Sequence, residues 1–67
     1  MIYIANIKKS KIQQLDGFTR KEFTTESHIV DAIDEMHVEE KIQAYYNNIT
    51  SDDITYNIEY QSIYPLL

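Results

Sequence analysis

The chain has 67 residues, a net charge of −5, no cysteine, one glycine and one proline. This length predicts a single domain, residues 1–67, with a marginal hydrophobic core. The composition excludes disulfides, thiolate metal sites and the glycine-rich loops that bind phosphate or dinucleotides.

The first predicted strand covers about residues 2–14 and begins with apolar side chains on both faces. These are Ile2 and Ile4 on one face, and Tyr3, Ala5 and Ile7 on the other. A strand that is apolar on both faces is typical of a central position in a sheet. The alternative for its second half, residues 8–16, is an irregular loop.

Asp16-Gly17 predicts a two-residue hairpin turn, because a type I′ turn needs positive φ at both central positions. The turn places Leu15 opposite Phe18, and it places Lys11 opposite Glu22. An apolar pair and a pair of opposite charges both support this register.

A region of helical composition follows the second strand, which is predicted over about residues 18–24. Hydroxyl groups suited to capping the start of a helix are present in Thr24, Thr25 and Ser27. Glu26 would then lie in the first turn, where the helix dipole favours an acid. The helix is expected to end near Asn48, because turn-forming residues follow it.

The apolar residues of this helical region form two sets on nearly opposite sides of a helix. The first set is Ile29, Val30, Ala32, Ile33 and Met36, and the second is Val38, Ile42, Tyr45 and Tyr46. A straight helix cannot bury both sets against one sheet. Either the helix breaks near His37, or one long helix serves two surfaces and the second set contacts another copy of the chain. The second set is therefore the predicted self-association surface.

The last predicted strand shows strict alternation, which is typical of a half-buried β-strand. One side holds Ile54, Tyr56, Ile58, Tyr60 and Tyr64, and the other holds Thr55, Asn57, Glu59 and Gln61. Pro65 is expected to end the strand, and Leu66-Leu67 is expected to be a small apolar cap on the core.

These elements predict an α+β domain of the order ββαβ. A three-stranded antiparallel sheet would carry one long or broken helix on one face. If the helix breaks, the order is ββααβ.

Basic residues are concentrated in the predicted hairpin. They are Lys8, Lys9, Lys11, Arg20 and Lys21. One interpretation is that they bind nucleic acid with Phe18 available for stacking. The interpretation we favour is that they protect an edge strand from pairing, because the strongly acidic remainder of the chain would repel phosphate. We therefore do not expect direct binding of nucleic acid.

Acidic residues dominate the rest of the chain, where Lys41 is the only basic residue. Seven of them form the predicted partner-binding surface: Asp31, Asp34, Glu35, Glu39, Glu40, Asp52 and Asp53. A surface that only keeps a protein soluble normally mixes both signs of charge. An unmixed acidic surface would suit a mimic of the phosphate backbone, because grooves lined by Lys and Arg attract negative charge.

No arrangement of residues indicates catalysis, a cofactor or a metal. Ser27, His28 and Asp31 include the residue types of a nucleophilic triad, but neighbours on a helix point about 100° apart. His28 and His37 do not share a helix face, and two ligands do not make a metal site. We therefore expect a protein that is not an enzyme.

The predicted function is a non-enzymatic inhibitor or modulator that binds a protein partner, such as a nucleic-acid-processing enzyme, through the acidic surface. In size, acidity and composition the chain is similar to the small antagonists that phages use against host defences, including anti-CRISPR and anti-restriction proteins. This similarity is one of type, and no motif assigns a family or a functional residue. The alternatives are a self-associating structural or regulatory module, as a homodimer, and nucleic-acid binding by the basic hairpin.

The expected location is the cytoplasm of a bacterial cell. No apolar run approaches the length of a membrane span, and no signal-peptide pattern is present. Ile, Asn, Lys and Tyr are abundant and have AT-rich codons, which suggests a low-GC bacterium, its phages or its plasmids as the source.

Overall fold

The computed structural model describes residues 1–66 and contains three strands and one helix. In chain order these are β1 (Ile2–Leu15), β2 (Phe18–Asp31), α1 (Glu35–Asn48) and β3 (Ile54–Pro65). The sheet is antiparallel with the order β2-β1-β3, so β1 is central as its apolar faces indicate. The predicted α+β fold of the order ββαβ is confirmed. Leu67, half of the predicted apolar tail, lies outside the described residues.

The hairpin of β1 and β2 has the predicted turn and register. Gly17 has φ +83°, a left-handed conformation that glycine adopts without a steric penalty. Leu15 faces Phe18 and Lys11 faces Glu22, and the pairing continues without a shift to Ile2 and Asp31. The alternative of an irregular loop over residues 8–16 is therefore wrong.

The predicted start of the helix is wrong, because β2 continues to Asp31. Thr24, Thr25 and Ser27 are strand residues and cap no helix. The central strand offers a pairing partner along its whole length, and this ladder overrides a local preference for helix. The helix begins instead after Asp34, whose side chain accepts a hydrogen bond from the backbone N–H of His37 at 2.8 Å.

This later start removes the conflict between two apolar faces. The first apolar set lies in β2 and the loop after it, apart from the exposed Met36 in the first turn of α1. The helix therefore needs neither a break near His37 nor a second contact surface, because its buried residues all lie on one face.

The core lies between α1 and one face of the sheet, the inner face. Its buried residues are Tyr3, Ala5 and Ile7 of β1, Ala32 of the loop, and Val38, Ile42 and Tyr46 of α1. Three of the four residues of the predicted self-association surface are thus inside the protein, where they cannot contact another copy. Tyr45, the fourth, is 55% exposed.

The alternation predicted for β3 holds from Ile54 to Tyr60 and then changes at a β-bulge. Ile7 faces Tyr60 while the preceding Asn6 faces Ser62, so one residue of β3 is left over. The bulge reverses the side on which later residues lie, as an extra residue in a strand must. Tyr64, predicted to share the side of Tyr60, therefore lies on the opposite face beside Ile4.

The second face of the sheet, the open face, has no element packed on it among residues 1–66. The molecule is 48 Å long, whereas α1 spans about 21 Å and covers only part of the inner face. Ile29 and Tyr64 of the open face are 71% and 46% exposed. A large part of the sheet is thus available for contacts with other molecules.

Candidate interaction surfaces

The seven acids of the predicted partner-binding surface are all exposed, but they are divided between two places. Five lie at the end of β2 and along the first half of α1: Asp31, Asp34, Glu35, Glu39 and Glu40. We call these five the acidic helix surface. Asp52 and Asp53 follow the other end of α1, where the Asp53 carbonyl accepts a hydrogen bond from the backbone N–H of Gln14 at 2.8 Å. They lie near the hairpin turn and are not continuous with the acidic helix surface.

The acidic helix surface has little intramolecular compensation. Asp31 forms an ion pair with the N-terminal ammonium at 3.2 Å, and its carbonyl accepts a hydrogen bond from Lys41. Asp34 has a structural role as the helix cap. Within residues 1–66, Glu35, Glu39 and Glu40 form no salt bridge. Their charges are therefore available to a partner.

The basic residues of the hairpin do not form one surface, because alternation divides them between two faces. Three of the five lie on the central strand, so they do not protect an edge as predicted. Lys8 and Lys21 lie on the open face, where their ammonium groups are 5.3 and 5.0 Å from the ring centre of Phe23. On the inner face, Lys9 binds Glu26 at 2.7 Å.

Glu26 is the centre of a half-buried polar cluster that sequence reasoning missed. Its carboxylate accepts hydrogen bonds from the Lys9 ammonium and the Tyr46 hydroxyl, both at 2.7 Å. The Nε2 atom of His28 lies 3.1 Å from both Glu26 and the Tyr46 oxygen. Assigning Glu26 and His28 to a helix separated them from Lys9. The signal that finds them is strand alternation, which puts both on the inner face.

The cluster strongly favours the ionised form of Glu26. Hydrogen bonds from Lys9 and then Tyr46 lower the pKa of Glu26 from 4.5 to about 2. Burial, together with the hydrogen bond to Glu26, raises the pKa of the Tyr46 hydroxyl above its ordinary value of 10. These hydrogen bonds join side chains of β1 and β2 to Tyr46 of α1, so the cluster has the features of a structural link between the sheet and α1.

The depressed pKa of Glu26 predicts an acid-sensitive fold. A carboxyl whose pKa is lower in the folded state stabilises the fold above the unfolded pKa, and this stabilisation is lost as pH falls from about 4.5 towards 2. Since the side chain is 34% exposed, solvent screening reduces the effect to about 1–2 kcal/mol. Urea unfolding at about pH 7 and about pH 3 should show a smaller loss of stability in Glu26→Gln than in the wild type.

Glu40→Gln is the matched control, because Glu40 is exposed and has no salt bridge in the described part of the chain. It should retain the full acid dependence of the wild type. Equal acid dependence in Glu26→Gln and the wild type would contradict the structural role of the cluster.

The remaining candidate chemistry is dispersed. Ser27 donates a hydrogen bond to Asn6 at 2.6 Å on the open face, whereas His28 lies on the inner face, so the two do not form a triad with Asp31. Across residues 1–66, no group of three or more His, Asp or Glu side chains could hold a metal ion. A depression of about 230 Å³ on the open face is wide and shallow. Its lining is Lys8, Ser10, Phe23, Asn57, Ile58 and Glu59.

Comparisons with protein-family models, with curated proteins and with solved structures find no match to this chain. Within residues 1–66, no helix has the length and apolar character needed to cross a membrane.

Proposed function

We propose that the protein is a non-enzymatic modulator that binds a protein partner through the acidic helix surface. The proposed partner is a nucleic-acid-processing enzyme with a basic groove, and the proposed effect is inhibition, as for phage antagonists of the anti-CRISPR or anti-restriction type. The observation that carries the proposal is the set of exposed glutamates on α1 that have no basic partner in residues 1–66.

The density of charge on α1 supports a comparison with nucleic acid. Asp34, Glu35, Glu39 and Glu40 occupy about 9 Å of the helix axis, which is roughly one negative charge per 2 Å. Duplex DNA carries one charge per about 1.7 Å of axis, and a single strand carries one per about 3.4 Å. A groove that binds phosphates would therefore meet a similar charge density on this helix.

The helix also holds its charges in fixed positions. Val38, Ile42 and Tyr46 anchor α1 in the core, and the Tyr60 hydroxyl donates a hydrogen bond to the Glu39 carbonyl at 3.2 Å. Preorganised charges bind with a smaller entropic penalty than charges on a disordered tail. Fixed charges on α1 therefore support the proposed mimicry of a phosphate backbone.

The test is affinity capture from a bacterial lysate with tagged protein, followed by identification of the bound protein and assay of its activity. The proposal expects a nucleic-acid enzyme that elutes as salt rises, is displaced by heparin or duplex DNA, and loses activity when the protein is added. Binding that is insensitive to salt and to these polyanions would overturn it. So would a captured enzyme whose activity is unchanged.

A further inference from the structure

The outer edge of β2 is a long strand edge that carries charged side chains, among them Arg20 and Lys21, but lacks two other common forms of edge protection. Strand β2 has fourteen residues and contains neither a proline nor a bulge, and no strand other than β1 pairs with it in residues 1–66. Most of its side chains are exposed. The other edge of the sheet, β3, carries a bulge after Tyr60 and ends in Pro65, and both features oppose pairing. The two edges therefore differ in their readiness to accept another strand.

The turn determines which backbone groups of β2 point outward. In a two-residue hairpin the flanking residues exchange backbone hydrogen bonds. Phe18 and every second residue after it therefore direct their backbone N–H and C=O groups towards β1. Ala32 agrees with this, because its N–H donates to the Met1 carbonyl at 2.9 Å. The residues between them direct N–H and C=O groups outward, and they include Thr19, Lys21, Phe23, Thr25 and Ser27.

We infer that this edge pairs with the same edge of a second copy, in an antiparallel arrangement whose twofold axis passes at Phe23. The two sheets then form one sheet of six strands with both helices on the same face. About ten backbone hydrogen bonds join the copies, two for each pair of facing residues. The outward-facing pairs are Phe23 with Phe23, Lys21 with Thr25, and Thr19 with Ser27.

Complementary side chains select this register. On the inner face, Arg20, which forms an ion pair with Glu22 of its own chain, lies opposite Glu26 of the other copy, and Phe18 lies opposite His28. Opposite charges and aromatic pairs directly across two strands stabilise their pairing.

The axis can also pass at a residue whose backbone groups face β1. However, an axis at Glu22 places two glutamates opposite each other, and an axis at Thr24 places Glu22 opposite Glu26. An axis at Lys21 places two lysines opposite each other, and an axis at Thr25 places Arg20 opposite an apolar valine.

The assembly closes as a dimer because both copies use the same edge. The remaining edges are the two β3 strands, and their bulge and proline oppose further addition of copies. This inference rests on the backbone and side chains of β2. It does not depend on the proposed function of the acidic helix surface.

Sedimentation equilibrium of the wild-type chain is the first test. The inference expects a species of twice the 7.9 kDa chain mass at micromolar concentrations. If the protein remains monomeric at submillimolar concentration, the inference is overturned. The edge of β2 would then be free to pair with a strand of a different protein.

Amide hydrogen exchange tests the register without any substitution. In the dimer, the outward-facing amides of Lys21, Phe23 and Thr25 are protected, and their protection falls on dilution. Amides of the alternate residues Glu22 and Thr24 bond to β1 and stay protected in the monomer. If the outward-facing amides exchange freely at concentrations where the protein is dimeric, the dimer contact lies elsewhere and the inference is overturned.

Variants of β2 test the contacts. Phe23→Pro removes an outward-facing N–H and leaves the hydrogen bonds to β1 in place, so it should weaken dimerisation about 30-fold or more. Arg20→Glu places a glutamate opposite Glu26 of the second copy and should weaken dimerisation on the order of 10- to 100-fold. Lys21→Glu makes the same change of charge opposite Thr25 and should have an effect below about threefold.

Circular dichroism must show that each variant is folded before its mass is interpreted. Equal dimer affinities for Arg20→Glu and Lys21→Glu would overturn the predicted register. An unchanged affinity of a folded Phe23→Pro variant would overturn the use of this edge.

Discussion

Tyr46→Ala should lower the free energy of unfolding by about 3–5 kcal/mol, the range for loss of a large buried aromatic side chain. A domain of this size is rarely more stable than about 3–5 kcal/mol, so a large fraction of the variant should be unfolded at 25 °C. Tyr46 is 2% exposed and contacts the ring of Tyr56 at 5.4 Å between ring centres. Its hydroxyl also donates to Glu26, so the substitution removes both packing and a charge-assisted hydrogen bond.

Tyr45→Ala is the matched control, because Tyr45 is the neighbouring residue on α1 and is 55% exposed. It should cost at most about 1 kcal/mol, through its edge-on contact with Tyr46. Tyr46→Phe keeps the ring and should cost about 1–2 kcal/mol, which isolates the contribution of the hydroxyl. Chemical denaturation followed by circular dichroism measures all three.

A Tyr46→Ala variant as stable as Tyr45→Ala would contradict the burial of Tyr46 in the core. It would also return Tyr46 to the surface role that the sequence suggested for it. The comparison of the two adjacent tyrosines therefore tests directly whether α1 buries Tyr46 against the sheet.

The hairpin and the last strand could be predicted from the sequence because their signals are local. The turn at Asp16-Gly17 specifies the pairing of its flanking residues, and the alternation from Ile54 to Tyr60 specifies one buried side. The bulge after Tyr60 was missed, although the alternation breaks there: polar Ser62 falls on the apolar side of the pattern and apolar Ile63 falls on the polar side. It moved Tyr64 to the open face.

The extent of β2, in contrast, could not be predicted from the sequence. Residues 25–31 are compatible with helix when they are considered alone, and only the partner strand favours the extended form. That error hid the contact between Lys9 and Glu26, and it created the apparent second face of the helix. The prediction of a self-association surface at Val38 and Ile42 followed from it.

The arrangement of the acidic residues on the surface also could not be predicted from the sequence. Their count and exposure were evident in the sequence, but the division of the set was not. Asp52 and Asp53 are separated from Glu35 by the length of α1, about 21 Å. This separation provides two groups of acids that can be changed independently in one protein.

Reversing two charges on α1 should weaken binding to the proposed partner on the order of 100-fold. Glu39→Lys with Glu40→Lys is the suitable pair, because lysine and glutamate have similar helix propensities and neither carboxylate has a salt bridge in residues 1–66. Asp34 is unsuitable, since its substitution would remove the helix cap at a cost of about 0.5–2 kcal/mol. Binding is measured with the captured enzyme by titration at two salt concentrations.

Asp52→Lys with Asp53→Lys is the control, because it changes the net charge by the same amount at the opposite end of the helix. If the acidic helix surface is the binding site, this control should bind within about threefold of the wild type and keep most of the salt dependence. Equal losses in the two double variants would mean that the partner responds to net charge alone. That result would contradict a specific surface on α1, whereas a loss confined to the helix variant would place the contact on the turns that carry Glu39 and Glu40.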